Sequence, residues 1–308
     1  MSSRELEGAE IMVPGSIANI GPGLDTLAVA VQLYLRLRVA RVSSSERGAL
    51  HFHFGKLPLN GENRIETAFR KLAGDQQNLP SLHLEVESDI PMGSGLGSSA
   101  AATIAGFRLY ELFYEEQSCE RLLTAAAELE GHADNAAAAL LGGLAVCCQK
   151  QDGSVYAFSN PWPASLGFVV LTPEVALSTE RSRMALPPSV PLKDAVANMQ
   201  RVLLLLQALQ SGDDSLLAEA LADRLHQPTR EPLVPGLNTA LRLSHPDLLG
   251  VFLGGSGPSI VALARERCSE IEELLVQSYR PLGIPFRTSI LRVHDPSSST
   301  VAPLLCTS

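Results

Sequence analysis

The chain has 308 residues, 45% of them hydrophobic and 19% charged, with a formal net charge of −9 and a sequence pI near 5.3. This supports a sizeable core in one large domain or two ordinary ones. The acidic balance excludes a general nucleic-acid binder, which needs basic surface to displace counterions, and no apolar run approaches the roughly 20 residues of a membrane helix.

Residues 11–13 and 27–42 read as strands, the second long and β-branched. The stretch between them, P-G-S-I-A-N-I-G-P-G-L-D, is rich in glycine and proline and reads as a loop. A short strand at 50–54 precedes a helical pattern at 64–72, and residues 83–86 alternate like a strand. Helices are predicted at 98–113, 120–129 and 133–141, then a strand at 143–148. The N-P-W-P run at 160–163 marks a boundary, giving domains at 1–160 and 161–308. Beyond it come a strand at 167–171, helices at 192–210 and 215–225, and strands at 249–253 and 259–263. A helix at 268–279, a strand at 286–293 and an S-S-S-T loop near Ser297 complete the chain. Strands and helices mix without strict βα alternation, which favours an α+β fold with partly antiparallel sheets.

The N-terminus, M-S-S-R-E-L-E-G, lacks a signal-peptide core, so a cytoplasmic location is expected. Cys119, Cys147, Cys148, Cys268 and Cys306 show no zinc-type spacing and read as core or incidental thiols of a reducing compartment.

The most informative stretch is P-M-G-S-G-L-G-S-S-A-A, from Pro91 to Ala101. It is a strand exit, a glycine loop and a helix start. Without Cβ atoms, backbone N–H groups can approach an anion, and the new helix adds unpaired donors and a positive dipole end. A Walker-type loop would need a lysine after its last glycine, where Ser98 stands, and G-x-G-x-G is not a dinucleotide fingerprint. The remaining choices are a nucleotide phosphate cradle or a plain turn.

E-L-E-G-H-A-D-N, residues 128–135, sets carboxylates, a histidine and an asparagine where one helix ends and another begins. Mg²⁺ takes a carboxylate together with phosphate oxygens, and the Ser99 hydroxyl could complete its shell. Glu128 and Glu130 cannot both face one side of a helix. Asp134 and Asn135 could equally cap the second helix. G-G-S-G-P-S, from Gly254 to Ser259, reads alone as a hairpin-like turn. Arg183 and Arg230 have the fork that suits a carboxylate or phosphate, or are simply solvated surface charges.

Together these segments resemble the GHMP family of small-molecule kinases, over nearly the whole chain. The first proline–glycine stretch, the phosphate loop and G-G-S-G-P-S match the family's three motifs in order. The N-x-G-P-G-x-D pattern, E-G-H-x-D-N and D-x-L-H-Q-P-x-R (223–230) are similar to its branch acting on L-homoserine. Two departures are visible: alanines follow Asn135 where the family usually has V-A-P, and Gly254 and Ser256 replace two residues of the third motif.

The resemblance implies a two-domain GHMP kinase fold, with an N-terminal domain like ribosomal protein S5 domain 2 and a ferredoxin-like C-terminal domain. It implies direct transfer of the ATP γ-phosphoryl group to the side-chain hydroxyl of L-homoserine, with Mg²⁺, as a step in threonine biosynthesis. ATP would lie on Pro91, Met92, Gly93, Ser94, Gly95, Leu96, Gly97, Ser98, Ser99, Ala100 and Ala101, with Asn63 near the base. Ser99 and Glu130, or Glu128 in its place, would hold the metal. Asn19, Asp25, His132, Asn135, Arg183, Arg230 and Gly254 would form the substrate pocket, with Asn135, Asp134 and Arg183 closest to the chemistry. A homodimer is also implied. A kinase for another small alcohol such as mevalonate, and a catalytically silent ATP-binding homologue, are the alternatives.

Overall fold

The computed structural model describes residues 6–43, 48–55, 57, 61–74 and 79–295. The chain starts with β1 (Glu10–Asn19) and β2 (Gly23–Ser43), an antiparallel pair closed by a tight turn. Then come β3 (Leu50–His53), α1 (Arg64–Ala73), β4 (Ser81–Ser88), α2 (Ser98–Phe113), α3 (Cys119–Glu130), α4 (Asp134–Leu141), β5 (Leu144–Gln149) and β6 (Val155–Asn160). The sheet order is β3-β4-β2-β5-β6, with β1 also paired to β2. Only β3 and β4 run parallel. Helix α2 is buried around most of its surface and packs on α1. The sequence permits this because Gly106 lies so close to the Ile65 carbonyl that a Cβ would overlap it.

A second sheet follows. It comprises β7 (Gly167–Pro173), then, after α5 (Thr179–Met184), α6 (Leu192–Ser211), α7 (Leu217–Ala220), α8 (Gln227–Arg230) and α9 (Leu237–Ala240), β8 (Leu248–Leu253) and β9 (Ile260–Ala264), and finally, after α10 (Cys268–Tyr279), β10 (Phe286–Leu291). The order is β10-β7-β9-β8, antiparallel throughout. β9 reads I-V-A-L-A and every residue is buried, as an inner strand covered on both faces requires. Residues 292–294 then return to the first sheet: Gln32 N donates to Arg292 O, His294 N to Ala30 O, and Gly143 N to His294 O.

Three expectations are corrected. Residues 14–19 are strand, not loop: β1 pairs with β2 alone, so Pro14 removes no second ladder, and a register shift between Pro14 and Gly15 absorbs the irregularity. The helix expected at 215–225 breaks after Ala220. There the Leu221 carbonyl abuts Gly21, and Asp223 accepts hydrogen bonds from the N–H groups of Leu225, His226 and Gln227, starting α8 afresh. Among the cysteines, Cys147, Cys148 and Cys268 are free, but Cys119 is disulfide-bonded. Cys306 and the S-S-S-T loop lie outside the described residues. No helix among the described residues is long and apolar enough to cross a membrane.

Candidate active site

The glycine loop joins β4 to α2. Gly95 and Gly97 have φ of +79° and +76°, the left-handed region that side chains disfavour. Space forbids a side chain as well: a Cβ on Gly95 would strike the Gly254 and Gly257 carbonyls, and one on Gly97 would strike Ser16 Oγ. Gly97 is the N-cap of α2 and provides no side-chain cap, so the first amides of a 16-residue helix are left for another acceptor.

Those amides face a cavity of about 310 Å³ whose walls come from both sheets' connections. The three glycine motifs meet here. Gly255 N donates to Ala18 O (3.1 Å), Asn19 Nδ2 to Gly255 O (2.9 Å), and Ser259 N to Ser94 O (3.2 Å). Residues 254–259 form the β8–β9 hairpin turn, and Gly255, Ser256 and Gly257 within it line the cavity.

Glu130, at the end of α3, lines the cavity and takes hydrogen bonds from Ser99 Oγ and Thr103 Oγ1, each at 2.8 Å, with Arg64 Nε 3.6 Å away. Glu128 points elsewhere, pairing with Lys71 Nζ at 2.8 Å on the surface. A serine hydroxyl beside a carboxylate, at the mouth of an amide cradle, is an all-oxygen donor set that fits Mg²⁺.

Other residues lining the cavity carry charge. His132 Nδ1 lies 2.7 Å from Asp134 Oδ1, which also accepts the Asn135 N–H. Burial pulls the His132 pKa down, but the hydrogen bond and charge of Asp134 outweigh it, and the net shift is upward. Ser16 Oγ donates to Asn135 Oδ1 at 2.8 Å and fixes that amide. Asn19, Ile20 and Asp25, around the β1–β2 turn, all have positive φ. That geometry aims Asp25 into the cavity, where it meets Arg183 in a two-pronged pair of 2.7 and 3.1 Å.

Arg230 is different. It is 2% exposed and lines the cavity, and its hydrogen bonds go to Ser182 O (3.2 Å), Gly255 O (3.3 Å) and His226 Nδ1 (3.2 Å). None of these acceptors is charged. Burial, and then the nearby Arg183 charge, lower its pKa. A buried cation held by neutral acceptors beside an open cavity suits an anionic guest.

The cavity therefore gathers Asn19, Asp25, Gly93, Ser94, Gly95, Gly97, Ser98, Ser99, Ala100, Glu130, His132, Asp134, Asn135, Arg183 and Arg230. Six expected residues do not line it. Asn63 is the N-cap of α1, accepting from Glu66 N. Leu96, Ala101 and Gly254 are buried behind the wall, Met92 is solvent-exposed, and Pro91 uses its carbonyl to hold Ser94 Oγ. Sequence reasoning did not single out Ser16, Thr103 and His226, which touch site residues; Ser16 and His226 carried a signal, inside P-G-S-I-A-N-I-G-P-G-L-D and D-x-L-H-Q-P-x-R, and Thr103 carried none.

Fold and site together define a phosphotransferase acting on a small molecule. The family model for the GHMP kinases N-terminal domain matches residues 63–143, and that for the GHMP kinases C-terminal domain matches residues 205–275. The homoserine kinase of Solibacter usitatus is 38% identical, over 89% of this chain and 90% of its own. That of Deinococcus radiodurans is 38% identical over 84% and 85%. A crystal structure of homoserine kinase from Cytophaga hutchinsonii superposes with a TM-score of 0.80 at 27% identity, over 93% of this chain and 95% of that one. The chain belongs to the GHMP kinase family.

Proposed function

We infer that this chain is an ATP-dependent kinase that phosphorylates the side-chain hydroxyl of L-homoserine. The observation that carries the substrate is the buried Arg230, with no carboxylate among its hydrogen-bond acceptors, in the same cavity as the amide cradle and Asp25. A zwitterionic amino acid needs both. The similarity to homoserine kinases supports the same reading.

The α2 N-terminus and the left-handed glycines accept the triphosphate through backbone N–H groups. Ser99 and Glu130 would hold Mg²⁺, which when bound neutralises charge on the phosphates. Asp25 takes the substrate ammonium, while Arg230 and Arg183 fork onto the carboxylate. The Asp25–Arg183 pair is partly exposed, and such pairs contribute only about 0–1 kcal/mol, so the zwitterion can replace it charge for charge. Asn135, fixed by Ser16, holds the hydroxyl toward the γ-phosphorus. Phosphoryl transfer has a loose transition state, so alignment and charge neutralisation carry most of the rate. The Asp134 carboxylate holds His132 and the Asn135 amide, orienting the pocket wall, and is the acceptor available if the hydroxyl proton leaves early.

A coupled ADP assay with Mg²⁺ and ATP over homoserine, mevalonate and shikimate tests this reading. Homoserine should be strongly preferred. ADP formation indifferent to homoserine, or faster with mevalonate, would overturn it.

A further inference from the structure

His226 touches Arg230 but has no role in the substrate contacts just described, and it is fully buried between the β1–β2 turn and Arg230. Its ring nitrogens face different partners. Nε2 lies 2.8 Å from the carbonyl oxygen of Gly21, which can only accept, so Nε2 bears the proton and donates. Nδ1 is therefore a bare acceptor, and Arg230 Nη1 is 3.2 Å from it. Burial, the largest influence, depresses the ring's pKa against the pull of Asp223, whose Oδ2 is 3.7 Å from Nε2. Asp223 spends its carboxylate on Asn198 Nδ2 and on the amides of Leu225, His226 and Gln227. The backbone that carries His226 and Arg230 is thus fixed independently of either side chain.

We propose that His226 is a positioning residue for the substrate carboxylate: its Nδ1 holds the Arg230 guanidinium at the cavity wall while its Nε2–H ties that wall to the Gly21 turn bearing Asn19 and Asp25. This rests on the reading of Arg230 as the carboxylate receptor. Of the three groups holding Arg230, the other two are backbone carbonyls. The imidazole is the one side chain among them and so the one that substitution can remove.

The two nitrogens can be tested apart. In His226→Gln the side-chain amide reaches the Nε2 position and can still serve Gly21, but nothing accepts from Arg230. In His226→Asn the carbonyl oxygen stands near the Nδ1 position and can still hold Arg230. Kinetics are measured with homoserine and with 3-aminopropanol, which keeps the ammonium and hydroxyl and lacks the carboxylate. His226→Gln should raise the homoserine KM about tenfold, leave kcat and the ATP KM within about twofold, and leave the amino alcohol unaffected. His226→Asn should stay within about threefold of the parent in homoserine KM. An unchanged KM in the glutamine variant, equal losses on both substrates, or asparagine worse than glutamine would overturn the proposal. If the glutamine variant does not fold, the asparagine variant decides alone, a rise of about tenfold in its KM being the refuting result. A parent protein inert toward homoserine would overturn the functional reading, and this inference with it.

Discussion

In the proposed reading, the two groups of residues around the cavity recognise their guests by different means. The phosphate wall is one continuous stretch, Gly93 to Ser99, with Glu130 hydrogen-bonded to Ser99 beside it, and works through backbone amides at a helix start. The amino-acid wall is assembled from five separate places: the β1–β2 turn, the α3–α4 junction, α5, α8 and the β8–β9 turn. It works through side-chain charge. Backbone recognition is generic to any phosphate chain, whereas the charge arrangement defines one substrate. Damage to the first wall should remove activity toward every alcohol, and damage to the second should remove homoserine selectively.

The largest effect should come from Gly95→Ala. A left-handed residue costs about 1–3 kcal/mol for any side chain, and here the Cβ also strikes the Gly254 and Gly257 carbonyls. ADP formation should fall by more than about a hundredfold with a clear drop in thermal midpoint, because both walls share that contact. Normal activity would mean that the loop can yield. Glu130→Ala should lower kcat by about a hundredfold and leave the homoserine KM within about threefold. Arg230→Ala should do the converse, raising the homoserine KM by about thirtyfold or more, since truncating one side of a buried charge contact costs roughly 2–5 kcal/mol. An exchange of these two patterns would mean that the walls have been assigned the wrong way round.

Smaller effects sharpen the picture. The folded-state pKa of His132 is raised, so its contribution to stability is full below the unfolded value near 6.5 and fades as pH climbs through the folded one. His132→Gln should therefore lower the thermal midpoint more at pH of about 5.5 than at about 8.5. An equal loss at both would show the ring neutral in the pair with Asp134. Glu128→Ala should matter least: its surface pair with Lys71 contributes at most about 1 kcal/mol, and kcat should not move.

The same contrast explains what the sequence made legible. The glycine loop and helix start were readable because their geometry is local: left-handed glycines and a helix start are written consecutively, and α2 runs over Ser98–Phe113 as its alanine-rich pattern predicts. The members of the amino-acid wall were named through family resemblance, because nothing in residue spacing says that Asp25 and Arg183, 158 positions apart, lie 2.7 Å from each other. Thr103 stayed hidden, and Ser16 was not singled out within its motif, since a hydroxyl that orients another side chain leaves no periodic trace. β1 was truncated because Pro14 and Gly15 are turn residues by type, and only pairing along one edge makes them tolerable in a strand. β6 was missed for a related reason: this edge strand shows solvent Tyr156 and Phe158, so its apolar residues do not mark the buried face.

The last strand bears on how the molecule can be divided. After leaving the second sheet, the chain lays Arg292 to His294 across Gln32, Ala30 and Gly143 with three backbone hydrogen bonds. This works as a buckle: residues 292–294 of one half are clasped by the second strand and the Gly143 turn of the other. A protein cut between the sheets would strand the strap with the wrong fragment, so neither piece should behave as a free-standing module.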